Sequence, residues 1–203
     1  MDVLPQVSLF GHSFVKRLAA HAERRGEELG HELGVNQVCR LSSYGQSGLS
    51  FRRILENPGV HVDHVLTGDR HPDVLIVDVG SNDLTPMHAS VATVVNDALE
   101  FLSILESYQV FPKVVVFLSV IQRKSMGHRG GVSLTTYNHR VKSFNARLAS
   151  SLRLTANAYM FPQTLINLPK YVCDDGCHLN EAGQIRYRRG LRTVILKYVS
   201  RIR

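Results

Sequence analysis

Apolar runs and helical periods alternate along the chain from one end to the other. Gln6–Phe10 is a short apolar run closed by Gly11, and the Ala-, Glu- and Leu-rich stretch from Ser13 to about Gly34 reads as a helix that Gly34 stops. Gln37–Ser43 is a second predicted strand, followed by a short helix over Gly48–Glu56 that ends before Pro58. Val74–Val79 is the strongest strand signal, a continuous Val, Leu and Ile run ended by Gly80. In Ser90–Tyr108, Val91, Val94, Val95, Ala98, Leu102 and Leu105 recur near every 3.6 residues, the mark of an amphipathic helix. Val114–Leu118 is another buried run, Ile121–Val132 a glycine-bearing basic loop, and Thr135–Leu154 a helix. Ala158–Phe161 is a last short strand and Gln163–His178 an irregular connection. Asn180 then caps a terminal helix reaching about Ile202, with its apolar stripe on Tyr187, Leu191, Val194, Ile195, Tyr198 and Ile202.

Strand followed by helix, five times over, predicts βαβ units and a parallel sheet covered on both faces. In open α/β sheets ligands bind outside the carboxyl ends of the strands, so the residues just after each strand are where chemistry is expected. Length agrees: 203 residues suit one domain, 1–203, and no repeat or Pro/Ser-rich linker divides it. Three cysteines make no disulfide framework, and no apolar stretch reaches the ~18 residues of a membrane span. With no secretory leader pattern at the amino end, the expectation is a soluble, intracellular protein.

Charge changes the picture more than composition does. Residues 1–106 hold 8 Lys and Arg against 14 Asp and Glu, whereas residues 107–203 hold 16 against 3. Such an asymmetry reads either as a solvated basic face or as a surface for a polyanion. Its densest segment is the terminal helix, with Arg186, Arg188, Arg189 and Arg192, joined by Arg123, Lys124 and Arg129 in the loop after the fourth strand. These seven are the candidate anion-binding residues, expected to give weak, salt-sensitive contact with nucleic acid or anionic lipid.

Four short segments carry candidate chemistry. After the first strand, Gly11-His12-Ser13-Phe14 places a serine where its hydroxyl can show at the sheet edge, although a serine there also suits a helix cap. Tyr44-Gly45-Gln46-Ser47-Gly48 offers backbone amides unobstructed by a side chain, or simply a tight turn. Gly80-Ser81-Asn82-Asp83 can aim the Asn82 amide at developing negative charge while Asp83 caps the next segment, and turn chemistry explains the same residues. Asp175-Gly176-Cys177-His178 sets a carboxylate three residues before a histidine whose tautomer it can hold. Each segment is weak alone; their order is not.

In that order the four segments resemble the SGNH hydrolases, the GDSL esterase/lipase family, over nearly the whole chain. The resemblance implies a three-layer α/β/α, flavodoxin-like fold with about five parallel strands, and a serine esterase acting on short acyl, acetyl-type esters. It assigns Ser13, Asp175 and His178 as the catalytic triad. Ser13, Gly48 and Asn82 become the oxyanion hole, with Gly45 as the other register for the glycine. One departure is plain: His12 stands where the family's first block, Gly-Asp-Ser-Leu, has aspartate. A looser likeness is to the esterase-like domains of some retrotransposable elements, which implies as the alternative function an accessory module binding nucleic acid or anionic lipid through its basic half. Gly11-His12-Ser13 is also similar to an α/β-hydrolase nucleophile elbow. However, Val15 replaces the glycine that elbow needs, and too few residues precede Ser13 for its strands.

By the implied chemistry Ser13 attacks a small acyl ester, His178 takes its proton and Asp175 orients the imidazole, with no metal or organic cofactor required. His61 and His64, three apart in a loop-like stretch, read as surface residues rather than ligands. Cys173 and Cys177 read as small apolar filling beside the acidic pair. The short connections leave little material for a lid.

Overall fold

The computed structural model describes residues 3–66, 71–108, 111–126, 131–166 and 169–203, leaving the side chains of residues 64, 65 and 165 outside the description. Five strands form one parallel sheet: β1 (Gln6–Gly11), β2 (Arg40–Gly45), β3 (Val74–Asp78), β4 (Val114–Leu118) and β5 (Ala158–Phe161), in the order β2-β1-β3-β4-β5. The helices are α1 (Ser13–Arg24), α2 (Leu29–Glu32), α3 (Phe51–Glu56), α4 (Pro58–Leu66), α5 (Val91–Ser107), α6 (Leu134–Leu152) and α7 (Glu181–Ile202).

Period-2 alternation along strands buried on both faces explains the continuous apolar runs. Val7 and Leu9 of β1, Val74 and Ile76 of β3, and Val114 and Val116 of β4 pack with α1 and α7. Phe10, Leu75, Val77, Val115 and Phe117 point the other way, onto α3, α4, α5 and α6. From β1 the chain moves outward to β2 and then returns to β3 on the opposite side of β1. That reversal makes a switch point between β1 and β3, where a crevice opens at the carboxyl ends.

The sequence reading of strands and long helices agrees with these elements, with informative differences. The first predicted helix ends at Arg24, because Gly26 takes φ +66 and the chain restarts as α2 before Gly34. The second strand begins at Arg40 and runs to Gly45, shifted from Gln37–Ser43. Residues 58–66 are helical, not a loop. His61 in that helix is buried, with Nδ1 3.1 Å from the Tyr44 hydroxyl, which corrects the surface reading of this histidine; the His64 side chain lies outside the described residues. On α7, Val199 joins the buried stripe and Ile202 is only partly buried. The irregular connection contains two 3₁₀ turns, Thr164–Ile166 and Pro169–Tyr171. No described helix is long and apolar enough to cross a membrane.

Candidate active site

The crevice at the switch point is a cavity of about 160 Å³ lined by His12, Ser13, Ser47, Gly48, Asn82 and His178, among others. Four segments distant in sequence thus meet at one place.

Ser13 is the first residue of α1, so the helix cap is His12 and not the serine. Gly11 ends β1 against β3, and the His12 amide donates to the Asp78 carbonyl at 3.1 Å, which fixes the turn. The His12 ring is 5% exposed, and its Nδ1 accepts from the Phe14 amide at 3.4 Å. Nδ1 therefore carries the lone pair and also lies 3.5 Å from Ser13 Oγ. On the far side of the ring, Nε2 is 3.6 Å from Asp78 Oδ1, while Asp78 Oδ2 accepts from the Tyr187 hydroxyl at 2.6 Å. Burial pushes the His12 imidazole below its ordinary value; Asp78 opposes this, and the charges of Arg123 and His178 add to it. The same burial holds the Tyr187 hydroxyl well above the usual phenol value.

The two glycine registers separate in space. A Cβ on Gly45 would run into the Lys16 backbone, so that glycine lets the end of β2 lie against α1. Gly48 takes φ +76 and lines the crevice with Ser13. The amides of Ser13 and Gly48 donate to no acceptor among the described residues.

Asn82 lines the same crevice, and its Nδ2 donates to the Leu49 carbonyl at 2.8 Å, which ties the segment after β3 to the Gly48 turn. Asp83 serves the amino end of α3, whose N-cap is Ser50, and not the segment that follows it. Its carboxylate accepts from the amides of Phe51 at 3.1 Å and Arg52 at 3.3 Å. Burial raises the Asp83 carboxyl to about 6, against the pull of those amides.

His178 and Asp175 project from a loop closed by a bridge between Val172 and Leu179, with the Cys173 amide donating to the His178 carbonyl at 2.7 Å. Asp175 Oδ2 is 2.6 Å from His178 Nδ1, and Oδ1 accepts from the amides of Cys177 and His178, each at 2.9 Å. Partial burial works to raise the Asp175 carboxyl, but these hydrogen bonds and the imidazole outweigh it and hold the group well below the usual carboxylate range. Asp174, the neighbour at the wrong spacing, points into solvent and meets Lys124 at 3.3 Å. Cys173 and Cys177 are free thiols, the latter on the crevice wall.

Residues without a local sequence signal complete the support. Asn138 on α6 brackets Arg123, its Oδ1 accepting from the Arg123 amide at 2.9 Å and its Nδ2 donating to the Arg123 carbonyl at 3.1 Å. Asn145, two turns on, does the same for Val120 at 2.9 Å in each direction. The guanidinium of Arg140 donates to the carbonyls of Leu84, Pro86 and Met87, which fixes the chain beyond Asn82.

The predicted anion-binding residues scatter. Arg123 is buried, 4.2 Å over the Tyr137 ring, with Nη2 3.3 Å from Ser81 Oγ, so it is no part of a solvent face. Arg188 pairs with Glu32, Arg192 donates to the carbonyls of Leu33 and Gly34, and Arg186 stacks over Tyr171. Arg189 is exposed; Arg129 lies outside the described residues.

No protein-family model matches the chain. No curated protein matches it either. Solved structures do. A GDSL-like lipase from Bacteroides thetaiotaomicron superposes with a TM-score of 0.71 over 95% of this chain and 88% of that one, at 13% identity. The SGNH-hydrolase fold is the fold of this chain. A carbohydrate acetylesterase family member from Sinorhizobium meliloti gives 0.70 over 97% of this chain and all (100%) of that one, at 14% identity. An acetylxylan esterase from Geobacillus stearothermophilus, crystallised as a catalytic serine mutant, gives 0.67 over 94% of each chain at 10% identity. At these identities the likeness is one of fold, so what the SGNH-fold crevice does here must be argued from its own residues.

Proposed function

We propose that the chain is a serine esterase that hydrolyses short acyl esters through an acyl-enzyme. The observation that carries the reading is the convergence of Ser13, His178, Gly48 and Asn82 on one small crevice, with Asp175 bonded to the far nitrogen of His178. Asp175 engages Nδ1, which leaves Nε2 as the nitrogen for the serine proton. Ser13 Oγ attacks the ester carbonyl as Nε2 takes that proton, and the carbonyl π pair moves onto oxygen. The amides of Ser13 and Gly48 and the Asn82 side chain are the donors for this oxyanion. Collapse of the adduct breaks the bond to the alcohol, which leaves with the proton returned by His178. Water, deprotonated by the same nitrogen, then releases the acid and restores Ser13.

The crevice of about 160 Å³ falls below the ~300–1,000 Å³ of sites that hold drug-sized ligands, which favours acetyl-sized groups. An organophosphonate probe is expected to label Ser13, and Ser13→Ala to abolish both labelling and turnover of p-nitrophenyl acetate. Labelling at another residue, or unimpaired turnover in Ser13→Ala, removes this reading.

A further inference from the structure

Beside the crevice opens a second, larger groove of about 780 Å³, and the two share Arg17 and Ser47. Its walls are α1 and the first turns of α7. The stripe on α1 starts at the candidate nucleophile: Ser13, Arg17, Ala20 and Arg24 are four, seven and eleven residues apart from the serine and fall on one helix face. At ~1.5 Å per residue, Arg17 stands about 6 Å and Arg24 about 16 Å along the helix from Ser13. Phe14, Val15, Leu18 and Ala22 bury the opposite face, so this stripe is free to meet a ligand.

Charge in the groove is unevenly compensated. Arg188 meets Glu32, and Arg25 meets Glu27 and Glu32. Lys16, Arg17 and Arg24 are exposed and make no ion pair among the described residues. Glu181 is the one carboxylate on the groove wall among those residues. A concave surface lined by one sign of charge focuses potential on what enters it. Here it adjoins, through Arg17 and Ser47, the crevice that Ser13 lines.

We infer that the substrate is a soluble ester bearing an anionic group (phosphate, sulfate or carboxylate), which the α1–α7 groove binds while the ester carbonyl lies over Ser13. The inference rests on the esterase reading for the reacting end and on the groove for the rest. Acetyl esters of glycerol and of glycerol 3-phosphate test it as a matched pair. The phosphorylated ester is expected to be preferred by about tenfold in kcat/KM at low ionic strength, a preference that shrinks as salt is added. In the double variant Lys16→Gln/Arg24→Gln the anionic-to-neutral ratio is expected to fall about fivefold, and further in Arg24→Glu, with far-UV circular dichroism checking the fold.

Hydrolysis of both esters with equal efficiency in the unaltered chain overturns the groove assignment and leaves the esterase reading standing. Calorimetric titration of inorganic pyrophosphate into Ser13→Ala separates the two in the other direction. Salt-sensitive binding that the double variant loses supports the groove even if neither ester turns over. Binding only to phosphatidylserine vesicles, with no response to pyrophosphate or the phosphorylated ester, overturns a soluble anionic substrate.

Discussion

On one side of Ser13, His178 meets Asp175 at 2.6 Å in a loop; on the other, His12 approaches Asp78 at 3.6 Å beneath the sheet edge. The outer carboxylate is half exposed, takes two backbone amides on its second oxygen, and stays ionised far into acid. The inner carboxylate is buried and spends its short hydrogen bond on Tyr187 rather than on the histidine. A catalytic base must gain and release a proton in place. In the proposed reaction the carboxylate bonded to the His178 ring would stabilise its cation, whereas burial pushes the His12 imidazole below its ordinary value. The difference teaches that two histidines lining one crevice with a serine need not share a task. His178 is the proton carrier of the proposed reaction, while His12 holds the turn with a lone pair.

Removing the two rings in turn is the severest test of that division. His178→Ala is expected to lower kcat by about 10⁶, the order seen when the histidine of a triad is lost. His12→Ala should cost about tenfold, or ~1.4 kcal/mol in the barrier, by loosening the rotamer of Ser13. Single-turnover kinetics on p-nitrophenyl acetate reads both. Equal losses would show that the inner pair shares the proton chemistry.

A smaller effect on rate, but a clear one on stability, is expected at the hydroxyl that holds Asp78. Tyr187→Phe removes a 2.6 Å hydrogen bond from a buried carboxylate, and such losses cost about 1.5–3 kcal/mol when one partner is charged. Urea denaturation should show the drop at an unchanged m-value. Turnover should change by no more than a few-fold, since His12 keeps its bond to the Phe14 amide. A fall in kcat as deep as that of His178→Ala would make the inner pair catalytic.

What could be read from the sequence divides along the same line. Val74–Val79 and Val114–Leu118 announce themselves because a strand buried on both faces leaves no polar position to confuse the signal. Ser13, Gly48, Asn82 and His178, which line one crevice, could be named together with Asp175 because their four segments, in order, resemble the SGNH family and lie after a strand or ahead of the last helix, near where an α/β sheet puts its ligands. The inner pair was not legible: Asp78 ends an apolar run, and nothing near it announces Tyr187, more than a hundred residues later. Asn138 and Asn145 look like ordinary polar positions of a helix, yet they clamp the loop after β4. Helix α4 was hidden because its histidines and aspartate interrupt the apolar period. The basic side chains are countable in the sequence but their partners are not, so Arg123 counts there among the candidate anion-binding residues although it is buried against Tyr137 and Ser81.

The smallest expected effect sharpens the comparison through pH, because two buried groups near the crevice titrate in opposition. His12 is pushed below the ordinary imidazole value of 6.5, so below that pH the unfolded chain takes up a proton that the folded one refuses. Stability from this group therefore declines as pH falls through that region. Asp83 is raised to about 6, so between there and the ordinary carboxylate value the folded chain keeps a proton that the unfolded one releases. Stability from Asp83 therefore grows as pH falls over the same window. The depressed Asp175 contributes its loss only below the ordinary carboxylate range, outside that window. The two groups partly cancel in the unaltered chain, and single variants unmask them. His12→Asn is expected to gain midpoint stability on going from about pH 6.5 to about pH 4.5, relative to the unaltered chain, while Asp83→Asn loses it more steeply. Urea midpoints at the two pH values measure both slopes. Parallel pH dependence in all three proteins would mean that neither group titrates differently on folding, and would remove the argument that His12 is kept neutral by its surroundings.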